Sequence, residues 1–273
     1  SKKMVNIYVI VFGAAVVACA FFIIHLLGQS KQQRRKRLLG LRLNAEERAM
    51  LEQDFHLYGR LPENLKDELD GLIHVFIEEK SFEACGGLEE VTLHMQRVIA
   101  AQACLLLLRT PHQYYRNLRS ILLYPDAYKA PGQHGAEDVR LGESWGTGSV
   151  VLSWSSVLGG GRNDNDGHDV VIHEFAHQLD QADGAGDGVP YLRSRGAYRG
   201  WAAAFRPAFE QFTKRVAGGQ KTVIDEYGAE NPAEFFAVVT ETFFEKPHQL
   251  EKRYPDLYAQ LVDYYGLNPG EWK

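Results

Sequence analysis

The stretch VVIHEFAHQLDQADG, residues 170–184, constrains this chain more tightly than any other. His173 and His177 stand four residues apart, and Glu174 directly follows the first. On a helix, positions i and i+4 share a face one turn apart, so both imidazoles can reach one point. Val170, Val171, Phe175, Ala176 and Leu179 surround them at helical spacing, which predicts a helix with a buried side over residues 168–182. Neutral imidazole is a good zinc ligand, and zinc favours a tetrahedral set of nitrogen, oxygen or sulfur donors. Glu174 projects to the adjoining side, where a carboxylate can take a proton from water as general base. The competing reading is an amphipathic helix carrying two surface histidines. The apolar surroundings and the Gly- and Asp-rich run just before the motif weigh against it.

A catalytic zinc site needs a third protein ligand and an open fourth position. Residues 178–184 read QLDQADG and supply no third histidine at a familiar spacing. The candidate helix for the missing ligand is NPAEFFAVVTETFF, residues 231–244. Asn231 suits an N-cap, Pro232 the first helical position, and Glu234 the third. A carboxylate beside Phe235 and Phe236 is costly unless it is paired or metal-bound, which favours Glu234 as ligand over a capping-box glutamate that reaches back to Asn231. Glu241, seven residues on, falls on nearly the same face. Asp180 shares the face of the two histidines, as an orienting partner for one of them or as a helix-end polar contact. His112, His134, His168 and His248 read as ordinary loop or surface histidines.

At 273 residues the chain is long enough for one large or two small domains. Its net charge of -5 argues against direct nucleic-acid binding, which needs a concentrated basic face. Cys19, Cys85 and Cys104 form no C-x-x-C pair and no disulfide framework, so a cysteine zinc site is not indicated and a reducing compartment fits best.

Residues 4–27, MVNIYVIVFGAAVVACAFFIIHLL, contain no Asp, Glu, Lys or Arg. A helix of this length rises about 36 Å, enough to cross a hydrocarbon core of about 30 Å. KQQRRKR at residues 31–37 follows it, and the positive-inside rule orients the segment N-out with the rest of the chain in the cytosol. Ala18-Cys19-Ala20 resembles a signal-peptide or lipoprotein cleavage site. The continuing apolar run and the basic cluster behind it favour an uncleaved transmembrane anchor over residues 1–27.

Residues 28–43 read as a polar, basic linker, and the domain proper spans 44–273. Helices are expected from Asn44, from Pro62 to about Glu79, and over 89–108. Strands are expected at 118–124, 137–142 and 148–154, a loop at 157–168, and helices again at 168–182, 201–217 and 231–245. Helices, a small sheet, then helices make an α+β class. Strand 148–154 is a candidate edge that could pair with an extended substrate. The glycines of 155–168 suggest a lid.

HEFAHQLD and the YG-x-x-NPAEFFAV block at 227–238, together with GLE at 87–89, AAQACL at 100–105 and YPDAY at 124–128, resemble the Mlc titration factor A family of zinc-dependent peptidases. The core is also similar to the protease domain of anthrax lethal factor, which carries a comparable Tyr and Asn-x-Ala-Glu-Phe-Phe-Ala block. The resemblance spans about residues 40–265. It implies a zincin-like (gluzincin) metallopeptidase domain with one Zn2+ on His173, His177 and Glu234. It implies Glu174 as general base and Tyr227 as donor to the oxyanion, a role a neutral phenol can fill. It further implies peptide substrates, aminopeptidase-like activity, and a transcriptional repressor of the Mlc type as a partner, with repressor sequestration at the membrane as the non-catalytic alternative. The charge pattern adds a bacterial inner membrane location with the catalytic domain cytoplasmic.

Overall fold

The computed structural model describes residues 28–110, 114–126, 128–129, 139–140, 142–145 and 148–272. The chain divides into two units, Ser1–Leu41 and Arg42–Lys273. In the first, residues 28–39, part of the stretch read as a polar, basic linker, form helix α1. The stretch is rich in Gln, Lys, Arg and Leu, all good helix formers. The anchor expected at 4–27, and His112 and His134, lie outside the described residues. Among the described residues no helix is long and apolar enough to cross a membrane.

The second unit opens with α2 (Ala45–Asp54), where Asn44 and Glu47 close a reciprocal capping box. Then follow α3 (His56–Arg60), α4 (Glu63–Glu79), β1 (Ser81–Ala84), α5 (Leu93–Leu105), β2 (Ser120–Tyr124), β3 (Tyr128–Lys129), β4 (Val139–Arg140), β5 (Gly142–Trp145) and β6 (Ser149–Ser153). The C-terminal half is α6 (Trp154–Arg162), α7 (Val170–Asp180), α8 (Arg195–Ala217), α9 (Pro232–Glu245), α10 (Pro247–Arg253) and α11 (Pro255–Tyr265), with short 3-10 turns at Gln181–Asp183, Glu226–Ala229 and Pro269–Glu271.

The main sheet has the order β1-β2-β6-β5. β1, β2 and β6 run parallel, and β5 pairs antiparallel with β6. The α+β class stands, with a partly parallel sheet. β6 is therefore internal, and the expectation that 148–154 forms an edge is wrong. Val150 to Ser153 are all buried, the continuous pattern of a strand covered on both faces.

The stretch expected to be loop and lid, 155–168, is helical to Arg162. Ser153 caps it by accepting the Ser156 N–H. Its glycines serve packing. A Cβ on Gly161 would lie 2.3 Å from the Asp54 carbonyl oxygen, and one on Gly160 would lie 2.8 Å from Asp169 Cα. The helix can approach its neighbours this closely only without side chains there, which contradicts a mobile cover.

Helix α7 packs against α9, α5 and strands β5 and β6. Phe175 on its buried side meets the rings of Tyr115 at 4.8 Å and Phe76 at 5.6 Å. Burying one such phenyl side chain contributes on the order of 1.5–3 kcal/mol. On α9, Phe235 and Phe236 join Trp201, Phe205 and Phe212 of α8 in a second aromatic cluster. The two helices thus have rigid backing, and the faces left over form the site.

Candidate metal centre

Asp169 caps α7, its Oδ1 accepting the N–H groups of Val171 and Ile172 at 2.8 and 2.9 Å. The cap starts the helix four residues before His173. Asn231 caps α9 by accepting the Glu234 N–H at 3.0 Å, with Pro232 in the first turn. Glu234 does not turn back to complete a capping box with Asn231. Its Oε2 lies 3.1 Å from His173 Nε2 and 3.2 Å from His177 Nε2, and the two Nε2 atoms are 3.2 Å apart. Three donors from two helices therefore form a nearly equilateral triangle. A tetrahedral zinc with bonds of about 2.0–2.1 Å spaces its ligand atoms about 3.3–3.4 Å apart. The triangle and the donor types fit zinc. Among the described residues this is the one group with the spacing to hold a metal ion.

Behind the triangle stands a carboxylate that sequence reading placed on the right face without a role. Glu241 Oε1 pairs with His173 Nδ1 at 2.8 Å, and its Oε2 accepts the Asp169 N–H at 2.7 Å. A ligand histidine held this way keeps its tautomer and ring orientation. The signal available in the sequence was a glutamate seven residues after Glu234 in an otherwise apolar run.

Two more buried acids continue the layer. Glu245 Oε2 accepts the Gly167 N–H at 2.6 Å, while its Oε1 has no partner. Asp169 is nearly inaccessible. Burial pushes Asp169 up to about 7 and Glu245 up to about 10.

Electrostatics separates the site's own groups. Burial pushes the Glu174 carboxyl up to about 7, partly offset by the two histidines beside it. Burial also raises Glu234, but hydrogen bonds from His173 and His177 outweigh it and hold this carboxyl at about 2. Burial opposes charge on His173, and Glu241 and Glu234 overcome it and raise the imidazole above its ordinary range. The triangle is a place that draws positive charge.

Tyr227 lies in the 3-10 turn Glu226–Ala229, ahead of α9. Its backbone N–H donates to Asp225 Oδ1 at 2.8 Å. The ring centroid is 5.9 Å from that of His173, and 46% of the residue is exposed. Its ring therefore lies beside that of His173. Asp180 touches neither histidine. Both its oxygens accept the Gly188 N–H, at 2.9 and 3.0 Å, so of the two roles weighed for it the helix-end contact is the observed one. His168 pairs with Asp225 at 3.3 Å, and His248 is exposed.

Comparison with known proteins agrees with this geometry. Residues 30–266 match the family model of the glucose-regulated metallo-peptidase M90. An uncharacterized protein of Synechocystis sp. is 40% identical over 245 residues, covering 86% of this chain and 89% of its own. Mlc titration factor A of Klebsiella pneumoniae is 31% identical over 205 residues, covering 71% and 76%. That of Escherichia fergusonii is 30% identical over 212 residues, covering 74% and 78%. The resemblance carried by HEFAHQLD and YG-x-x-NPAEFFAV thus extends over most of the chain, and the protein belongs to the glucose-regulated metallo-peptidase M90 family.

Proposed function

We propose that this protein is a zinc-dependent peptidase whose metal is held by His173, His177 and Glu234. The observation that carries the reading is the triangle of ligand atoms at 3.1–3.2 Å beside a buried Glu174. When bound, zinc would supply Lewis-acid polarisation of a peptide carbonyl and ease the loss of a proton from water. Glu174 accepts that proton. Its affinity, raised to about 7, suits a group that must both take and return a proton near neutrality. It then delivers the proton to the leaving amine. The Tyr227 phenol donates to the oxyanion that forms as water adds to the carbonyl. Glu241 keeps the His173 ring in place throughout.

Aminopeptidase-like trimming of short peptides is the activity the family resemblance favours. Residues 4–27 would anchor the domain at the cytoplasmic face of a bacterial inner membrane, as their uncharged 24-residue run and the basic flank support. A second reading rests on the relatives named Mlc titration factor A, at 30–31% identity. In it the chain sequesters a transcriptional repressor of the Mlc type at the membrane without cleaving anything.

Glu174→Gln separates the two. The peptidase reading expects wild-type zinc content with hydrolysis of short peptides reduced by about 10²–10⁴-fold. Hydrolysis absent from the wild type, with repressor binding intact in both proteins, would replace it with the sequestration reading.

A further inference from the structure

A cavity of about 750 Å³ opens at the C-terminal end of α7. Its size is that of a small-molecule site. Gln178, Leu179, Ala182 and Asp183 form one wall, and none of His173, Glu174, His177, Tyr227 or Glu234 lines it. Helix α7 therefore turns one face to the metal triangle and another to this cavity.

Three observations mark the cavity as built for a ligand. The first is its backbone. Among the described residues only two non-glycine positions have a left-handed backbone, Arg109 at φ 58° and Tyr115 at φ 46°, and both line it. Such conformations are costly and persist where the surroundings fix them. Here the fixing is visible. The Lys80 ammonium donates to the carbonyls of Tyr114, Tyr115 and Leu118 at 2.6–3.0 Å, and the Tyr115 hydroxyl donates to the Ala103 carbonyl at 2.6 Å. The Arg109 N–H donates to Glu68 at 2.9 Å.

The second observation is charge. Arg116 and Arg193 both line the cavity, both are exposed, and neither has a hydrogen-bond or ion-pair partner among the described residues. A guanidinium offers a planar fork of donors that matches a carboxylate or a phosphate. The third is the remaining lining. Asp183 and Asp263 would repel a bare inorganic anion but accept from hydroxyl or ammonium donors, and Tyr191, 55% exposed, offers a ring face.

We propose that this cavity is a second binding site, for a small organic anion that carries hydrogen-bond donors beside its carboxylate or phosphate. Arg116 and Arg193 hold the anionic group, Asp183 and Asp263 the donors, and Tyr191 packs over the ligand. The inference does not depend on the peptidase reading, since no residue of the metal triangle takes part.

Calorimetric titration of the full chain tests it with two probes. Glucose 6-phosphate carries a phosphate and hydroxyls, and free phenylalanine carries a carboxylate and an ammonium. Uncharged glucose and phenylalaninamide serve as controls. At least one charged probe should bind and its control should not, and the probe that binds tells a phosphate ligand from a carboxylate one. Arg116→Ala/Arg193→Ala should weaken that probe at least tenfold. Lys214→Ala/Lys221→Ala removes the same charge outside the lining and should change it less than twofold. Arg116→Lys/Arg193→Lys keeps the charge, removes the planar fork, and should weaken it several-fold, which guards against a folding defect in the alanine pair. Binding of neither probe, or equal weakening in the arginine and lysine alanine pairs, would overturn the proposal.

Discussion

Two of the three glutamates of α9, Glu234 and Glu241, face one histidine from opposite sides. Glu234 sits in the first turn, partly open to solvent, and its Oε2 meets both Nε2 atoms. Glu241 sits two turns deeper, buried, and both its oxygens are engaged by His173 Nδ1 and the Asp169 N–H. The front of the site is thus an open triangle with Tyr227 exposed beside it. The back is a sealed layer of Asp169, Glu241 and Glu245 that ties the start of α7 to the body of α9. Changes at the front should alter chemistry and leave the fold alone. Changes at the back should alter metal affinity and stability together.

The sharpest test of that division is at the front. Tyr227→Phe should lower kcat about 10²–10³-fold in peptide hydrolysis, the usual cost of losing one oxyanion donor. Its melting temperature should stay at the wild-type value, because the hydroxyl is at an exposed residue. A large fall in melting temperature would erase the distinction between front and back.

At the back, Glu241→Ala should weaken zinc binding about 10–100-fold in a competitive chelator titration. It should also destabilise the metal-free protein by about 1–3 kcal/mol, since the buried Asp169 N–H loses its acceptor. Unchanged affinity would mean that His173 needs no support from behind.

The pH profile sharpens the comparison further. Glu174 must be ionised to act as base, and burial raises its carboxyl to about 7. Hydrolysis should therefore fall about tenfold per pH unit below that value. In Glu174→Gln this acid limb should vanish from whatever residual rate is measured.

The smallest expected effect concerns Glu245. Its carboxyl is raised to about 10 by burial, so the folded protein keeps a proton that the unfolded chain loses above about 4.5. The associated stability is complete below that lower value and declines as pH rises toward the upper one. Glu245→Gln removes the titration. It should stabilise the protein at pH 8 relative to wild type and change little at pH 4. Equal effects at both pH values in thermal melts would show that Glu245 does not carry this proton.

Much of the site was legible because its parts carry strong local signals. The i, i+4 histidines, the Asn231 cap and Pro232 fix two helices and the position of Glu234 on one of them. Glu241 had only a spacing to announce it, because its role depends on where α7 lands across from α9. The glycines of 159–161 misled for a related reason. Locally they read as loop, whereas Gly160 and Gly161 answer to the close approach of Asp169, across a turn, and of Asp54, more than fifty residues away. Strand β1, SFEA, is short and mostly exposed and shows no alternation to recognise. Its strandhood comes from parallel pairing with β2. Strand β6 showed as a strand, but its internal place depends on the pairing of β5, which no pattern within 148–154 reveals.

The most direct test of the central claim is zinc content per chain in the purified protein, for wild type, Glu174→Gln and Glu234→Ala. A site built on His173, His177 and Glu234 predicts about one zinc in the first two and a large loss in the third. Equal zinc in all three would contradict Glu234 as a ligand, and no zinc in any would contradict the metal centre itself.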